Sequence, residues 1–318
     1  MFDELTSNGY KVIYFSKYKN RIVRILDSIY NLVFKYFRYD VLILQVYGNF
    51  SFYFEDFISL ISKLSGKKII YTIHGGSFGE FFDKNRNWVT RVLKRADVIT
   101  TPSDFLRIIL EKRGFTSTVI PNIINFKEYH FKIRDTFKPN ILWMRTFHPV
   151  YNPLMALKTL QILLKKMKDA HLYMAGFDAG YKEEIRSYIE KNKLENSVTL
   201  MGVILGNEKQ EIANKCDIYI NTNNIDNTPV SLIEMGAFGI PIITTNVGGI
   251  TYMYNNMETA FLVDPNDSEK MAEYIEYIIN NNSDVKKIVE NSYNYIKIYD
   301  SENVLKMWED LLIKIFKN

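Results

Sequence analysis

The segment Asp226-Asn227-Thr228-Pro229-Val230-Ser231-Leu232-Ile233-Glu234 holds two carboxylates eight residues apart, across a change from loop to helix. The free N–H groups and dipole of a helix start favour an anion such as phosphate. Carboxylates accept hydrogen bonds from sugar or ribose hydroxyls. The segment thus has the chemistry to hold both ends of a nucleotide sugar. The plainer reading is an N-capping Asp or Asn and a surface Glu on an ordinary helix. Arg145 follows the apolar run Ile141-Leu142-Trp143-Met144. A planar cation fixed there chelates phosphate oxygens and stabilises a departing diphosphate, or else it pairs with a neighbouring acid. His74-Gly75-Gly76 also follows an apolar run. Paired glycines let backbone approach a ligand closely, and His bonds a sugar hydroxyl; a lone His equally serves as a satisfied structural group.

These residues need a scaffold, and the hydrophobic pattern supplies one. Short apolar runs alternate with longer amphipathic stretches, the signature of β-α units around parallel sheets. Strands are predicted at Lys11–Phe15, Val41–Val46, Lys68–Ile73, Asp97–Thr100 and Thr116–Ile120. The pattern restarts after a polar stretch, with strands at Ile141–Met144, Ala170–Met174, Ser197–Met201, Asp217–Asn221, Pro241–Thr244 and Ala260–Val263. The expected fold class is α/β, two Rossmann-like domains facing across a cleft. Residues 1–135 form the first, 136–300 the second, and 301–318 a C-terminal helix with the first domain as its candidate partner. Ligands of such sheets sit beyond the carboxyl ends of the strands.

Composition narrows the class. With 47% hydrophobic and 24% charged residues, the chain is neither disordered nor collagenous. Its one cysteine, Cys216, cannot form an internal disulfide, which favours a reducing, cytoplasmic setting. No apolar run reaches the ~18 residues of a spanning helix, and Met1–Glu4 lacks the basic start of a secretory leader. The net charge of +4 conceals an asymmetry. Residues 1–140 hold 22 Lys+Arg and 13 Asp+Glu, leaving 18 and 23 for the rest. A basic first half fits an anionic membrane surface or a lipid-diphosphate acceptor. No nucleic-acid module is recognisable, so that polyanion is set aside. Residues 20–39 allow two readings, a membrane-surface helix or a helix packed on the sheet with solvated charges. Four His and one Cys show no metal-ligand spacing, no Asp-x-Asp occurs, and the P-loop and dinucleotide fingerprints are absent.

Asp226 to Glu234, followed by Met235-Gly236-Ala237-Phe238-Gly239-Ile240-Pro241 and Asn246-Val247-Gly248-Gly249, resembles the E-x7-E region of retaining glycosyltransferases of family 4, of bacterial polysaccharide type. That family has the GT-B architecture. Ala96-Asp97-Val98-Ile99-Thr100-Thr101-Pro102-Ser103, Val119-Ile120-Pro121-Asn122, Met174-Ala175-Gly176 and Val198-Thr199-Leu200-Met201-Gly202 resemble its other landmarks in order. Thr72-Ile73-His74-Gly75-Gly76 resembles the His-Gly-Gly loop of its first domain. The resemblance covers about residues 10–300.

The resemblance implies roles. Asp226, Glu234, Arg145 and His74 would be catalytic: Glu234 on the ribose, Asp226 on the donor sugar, Arg145 on the diphosphate. Gly75, Gly76, Asn122, Val203, Asn227, Thr228, Val230 and Ser231 would bind substrate. The donor would be a nucleotide diphosphate sugar and the acceptor a glycan or lipid-linked glycan. No metal and no further cofactor is implied. The family's Lys, about five residues after the Arg, has no counterpart in 148–153, where His148 and Tyr151 are candidates to compensate. A strand and glycine-rich loop normally precede the counterpart of Lys11–Phe15, so the first domain is expected to lack its first strand. The alternatives are an inactive homologue that binds nucleotide or glycan without transfer, and a peripheral scaffold on the inner face of the cell membrane.

Overall fold

The computed structural model describes residues 2–7, 9–16, 18 and 21–317. They form two compact units, Met1–Ile123 with Ser301–Asn318, and Ile124–Asp300.

The first unit is built on β1 (Val41–Val46), β2 (Lys68–Ile73), β3 (Val98–Thr101) and β4 (Thr118–Val119), parallel in that spatial order. β2 lies between neighbours and is buried from its second residue on, whereas β1 alternates half-buried and buried residues. The register runs from Val41 opposite Lys68 to Val46 opposite Ile73. Both strands therefore end level and deliver Tyr47-Gly48 and His74-Gly75 to one end of the sheet. Helices between the strands bury one face each, as parallel pairing requires.

Residues 11–15, predicted as a strand, are not one. A cavity of about 470 Å³ separates them from β1, with residues 10–15 along one wall and 38–44 along another. An extended run becomes a strand only where a neighbour takes its backbone hydrogen bonds, and among the described residues no strand pairs with it. A short helix, Phe2–Ser7, precedes the run.

The helix Ser301–Lys317 belongs to the first unit. Val304, Leu305, Trp308, Leu311, Leu312 and Ile315 repeat at helical spacing and bury against Leu5, Ile70 and Ile120. The partition falls at 123/124 rather than 135/136. The irregular stretch after 123 is tied to the second unit by buried bonds. The Ile124 N–H donates to the Tyr299 carbonyl at 3.0 Å. Arg134, 7% exposed, donates to the carbonyls of Ala213, Cys216 and Gly239 and pairs with Asp217 at 3.1 Å.

The second unit contains β5 (Asn140–Met144), β6 (His171–Ala175), β7 (Val198–Leu200), β8 (Ile218–Asn221), β9 (Ile242–Thr245) and β10 (Phe261–Val263). All are parallel, in the order β10-β9-β8-β5-β6-β7. The order reverses between β5 and β8. That reversal opens a crevice at the carboxyl ends of the two strands, where open α/β sheets bind ligands. Trp143, Phe147, Leu172 and Ile218 fill the core on one face of this sheet, and Leu142, Tyr219 and Leu232 fill it on the other.

Candidate active site

Arg145 leaves the carboxyl end of β5, and Asn223 to Asp226 leave that of β8, so the sheet's reversal brings them together. The Arg145 guanidinium donates to Asp226 Oδ2 at 2.5 Å, with both side chains 16% exposed. It lies over the Tyr151 ring, 4.3 Å from its centroid. Asp226 also accepts from the Asn223 amide at 2.6 Å and from the Asn227 N–H at 2.8 Å. Burial pushes the Asp226 carboxyl above the usual carboxylate range; Arg145 and the two hydrogen bonds pull it back in part. Of the two sequence readings for Arg145, pairing with an acid is realised, and the acid is itself a candidate.

Several polar atoms of this region are buried without a partner: Arg145 Nε, Asn223 Oδ1 and Asn221 Oδ1. The Tyr219 hydroxyl nearby is turned to the Met144 carbonyl, at 3.2 Å. Buried polar atoms are nearly always hydrogen-bonded, so a cluster of orphans points to a polar ligand. The helix Val230–Ala237 starts beside them, with Pro229 as its N-cap and no side chain capping it. Its first N–H groups complete an anion-favouring corner. Asn227, Thr228 and Ser231 are buried along this turn and Val230 is more open.

Glu234 lies one turn further on and is 6% exposed. Its Oε1 accepts from Lys209 Nζ at 2.6 Å and from the Tyr129 hydroxyl at 3.0 Å. Burial and the Glu234 charge together hold the Tyr129 phenol well above its ordinary range. Val203 is half exposed in the loop after β7. That loop reaches Gly176, whose N–H donates to the Gly202 carbonyl at 3.0 Å. Gly176 has φ +152°, and a side chain there would overlap the Arg145 carbonyl.

The turn after β9 closes the site from behind. The Gly249 N–H donates to the Asp226 carbonyl at 3.0 Å, and a Cβ on Gly249 would overlap the Asn227 carbonyl oxygen. Gly249→Ala should therefore push the Asp226–Thr228 turn away and cost about 1–3 kcal/mol. Thermal unfolding tests this; an unchanged melting temperature would contradict such close packing.

His74, Gly75, Gly76 and Asn122 lie in the first unit. His74 and Asn122 line one cavity of about 160 Å³, together with Gln45, Thr72 and Trp308. His74 Nε2 bonds Gln45 Oε1, and the ring stacks on Tyr47, 5.3 Å between centroids. Burial lowers its pKa to about 4, so the imidazole is neutral at pH 7. Gly75 is needed because a Cβ there would lie 2.7 Å from the Tyr47 carbonyl oxygen. Sequence reasoning missed Lys209, Tyr129 and Asn223. Lys209 and Tyr129 lie far from Glu234 in sequence, and nothing local marks them. Asn223 was legible only as part of the run that ends β8.

Comparison with known proteins gives the family and the fold. Residues 125–295 match the family described as Glycosyl transferases group 1, and residues 4–128 match Glycosyltransferase Family 4. An uncharacterized glycosyltransferase of Haemophilus influenzae is 27% identical over 158 residues, which is 49% of this chain and 44% of that one. The capsular polysaccharide biosynthesis glycosyltransferase CapM of Staphylococcus aureus is 37% identical over 79 residues, covering 25% of this chain and 20% of its own. The matched stretches thus span less than half the length of these curated relatives. Among solved structures, Anabaena Alr3699/HepE in complex with UDP and glucose superposes with a TM-score of 0.76 at 16% identity, covering 95% of this chain and 85% of that one. The fold is the GT-B one of two Rossmann-like units.

Proposed function

Because the chain belongs to the glycosyl transferases of group 1, we propose that it moves a hexose or related sugar from a nucleotide diphosphate sugar to a hydroxyl of a glycan or lipid-linked glycan, with retention of anomeric configuration. The observation that carries this reading is the cluster of orphaned polar atoms in the region of Arg145 and Asp226, at the point where the second sheet reverses. Arg145 and the start of helix Val230–Ala237 would take the diphosphate, Glu234 the ribose hydroxyls, and Asp226 the hydroxyls of the donor sugar. The bond from the anomeric carbon to the phosphate oxygen breaks, and the acceptor oxygen bonds that carbon on the same face. The acceptor proton passes to the departing diphosphate. No side chain need act as the base, and Arg145 rather than a metal ion meets the developing charge. In the first unit, neutral His74 would hydrogen-bond a substrate hydroxyl without changing its own charge.

The HepE complexes with UDP, glucose and UDP-glucose make uridine donors the first to try. The test supplies UDP-hexoses with a lipid-linked glycan and follows both UDP release and the anomeric configuration of the product. An α-linked product from an α-linked donor is expected. A β-linked product would remove the retaining mechanism. Nucleotide binding without turnover would leave the inactive-homologue alternative.

A further inference from the structure

Two neighbouring helices of the first unit turn apolar faces outward. Arg21–Phe34 and the turn Tyr36–Arg38 expose Val23, Leu26, Tyr30, Phe34 and Phe37, a stripe at helical spacing. Phe34 is 70% exposed and Phe37 94%. Phe52–Leu64 exposes Tyr53, Phe57, Leu60 and Leu64, spaced four, three and four residues apart, with Leu64 at 80%. The sequence pattern alone would put the apolar side of the first helix inward, with Leu26 in it. Leu26 is exposed, Ile29 is half-buried against the core, and Ser28, Asn31 and Leu32 are buried. The Asn31 amide turns in and donates to the Phe15 carbonyl at 2.5 Å. Beside these buried groups, Leu26, Tyr30 and Phe34 stay outside.

Exposed apolar area of this extent marks an interaction surface. Its charge says what kind. Residues 11–68 hold ten Lys+Arg and four Asp+Glu. Two of those acids are withdrawn from the surface, Asp56 by pairing with Arg91 and Arg95 and Glu55 by burial at 5% exposed; of the cations, Lys63 and Lys68 pair with Asp97 and Lys67 donates to the Tyr39 carbonyl. Arg38 is exposed at the end of the first stripe, and Lys63, half-exposed and paired with Asp97 at 3.5 Å, adjoins Leu64 at the end of the second. Aromatic and aliphatic groups edged by cations suit the headgroup boundary of a bilayer, where rings sink shallowly and cations meet phosphate. No helix among the described residues is long and apolar enough to cross a membrane.

We propose that this twin-helix face of the first unit docks on the surface of an anionic lipid bilayer. The docking is independent of the donor chemistry proposed above, so either reading survives failure of the other.

The test is cosedimentation of the whole chain with vesicles, without nucleotide. Phosphatidylcholine vesicles containing about one-third phosphatidylglycerol should bind at least tenfold more protein than phosphatidylcholine alone. Phe34→Glu combined with Leu64→Glu should lower that binding at least tenfold with an unchanged melting temperature, since both side chains are exposed. Lys35→Glu combined with Arg38→Glu should abolish the preference for anionic vesicles. Equal binding by wild type and the Phe34/Leu64 variant overturns the proposal, as does absence of wild-type binding. Concentration-dependent dimerisation lost in that variant, with no vesicle binding, would assign the face to a second copy and also overturn it.

Discussion

Arg145→Ala should lower kcat/KM for sugar transfer by about 10²–10³-fold, the scale of removing one preorganised donor from developing charge. The loss should fall mainly on kcat, because the leaving diphosphate gains charge only as the glycosidic bond breaks. Arg145→Lys should recover part of it, since an ammonium keeps the charge but loses the planar fork and the stacking on Tyr151. The same change has a signature in stability. The Asp226 carboxyl is already above its usual range through burial, and Arg145 beside it restrains the rise. Removing Arg145 lets that pKa climb further. A group whose folded pKa lies above its unfolded value costs stability as pH rises through that range, and the cost vanishes where both states are protonated. The deficit in melting temperature of Arg145→Ala should therefore be large at neutral pH and shrink on acidification. A deficit independent of pH would show that Asp226 is not the group left exposed to the change.

Glu234→Gln should weaken nucleoside diphosphate binding by about 10–100-fold, the range for losing a hydrogen bond to a charged group. Both internal donors, from Lys209 and Tyr129, meet Oε1, so under the proposed role the second oxygen would meet the ribose. The amide keeps an acceptor for Tyr129 but loses the charge that holds Lys209. Lys209→Met, by contrast, leaves the carboxylate in place and should affect binding less. Calorimetric titration with UDP separates the two. Equal affinities for wild type and Glu234→Gln would remove Glu234 from the site. The Tyr129 phenol supplies an independent readout, because part of its elevation comes from the Glu234 charge. Its ultraviolet titration should move toward its ordinary range in Glu234→Gln.

The second unit was legible in the sequence almost strand by strand. Its inner strands are buried on both faces, so they stand out as short apolar runs, and Ile141–Met144 or Asp217–Asn221 needed only a residue of adjustment. The first unit was less so. Lys11-Val12-Ile13-Tyr14-Phe15 has the composition of a strand, but pairing depends on what lies alongside, and composition carries no record of that. Residues 124–135 look like a linker because they are polar, yet Arg134 is buried by carbonyls more than seventy residues away. In the site, Asp226 and Glu234 share one turn-and-helix and were visible together. Their closest partners, Arg145 and Lys209, reach them from other elements, so spacing could not reveal the pairs.

The first unit is made of two stretches of chain, with all of residues 124–300 between them. Ile70 and Ile120 leave the ribosome long before Trp308, which covers them. The second unit has its whole sequence available before the first unit receives its last helix. Domains fold as units during synthesis, usually the N-terminal one first; here the order of completion is reversed. Until residues 301–317 are made, Ile70 and Ile120 lack the cover that this helix gives them. Substitutions that loosen this helix would therefore act on yield from the ribosome before they act on the finished protein.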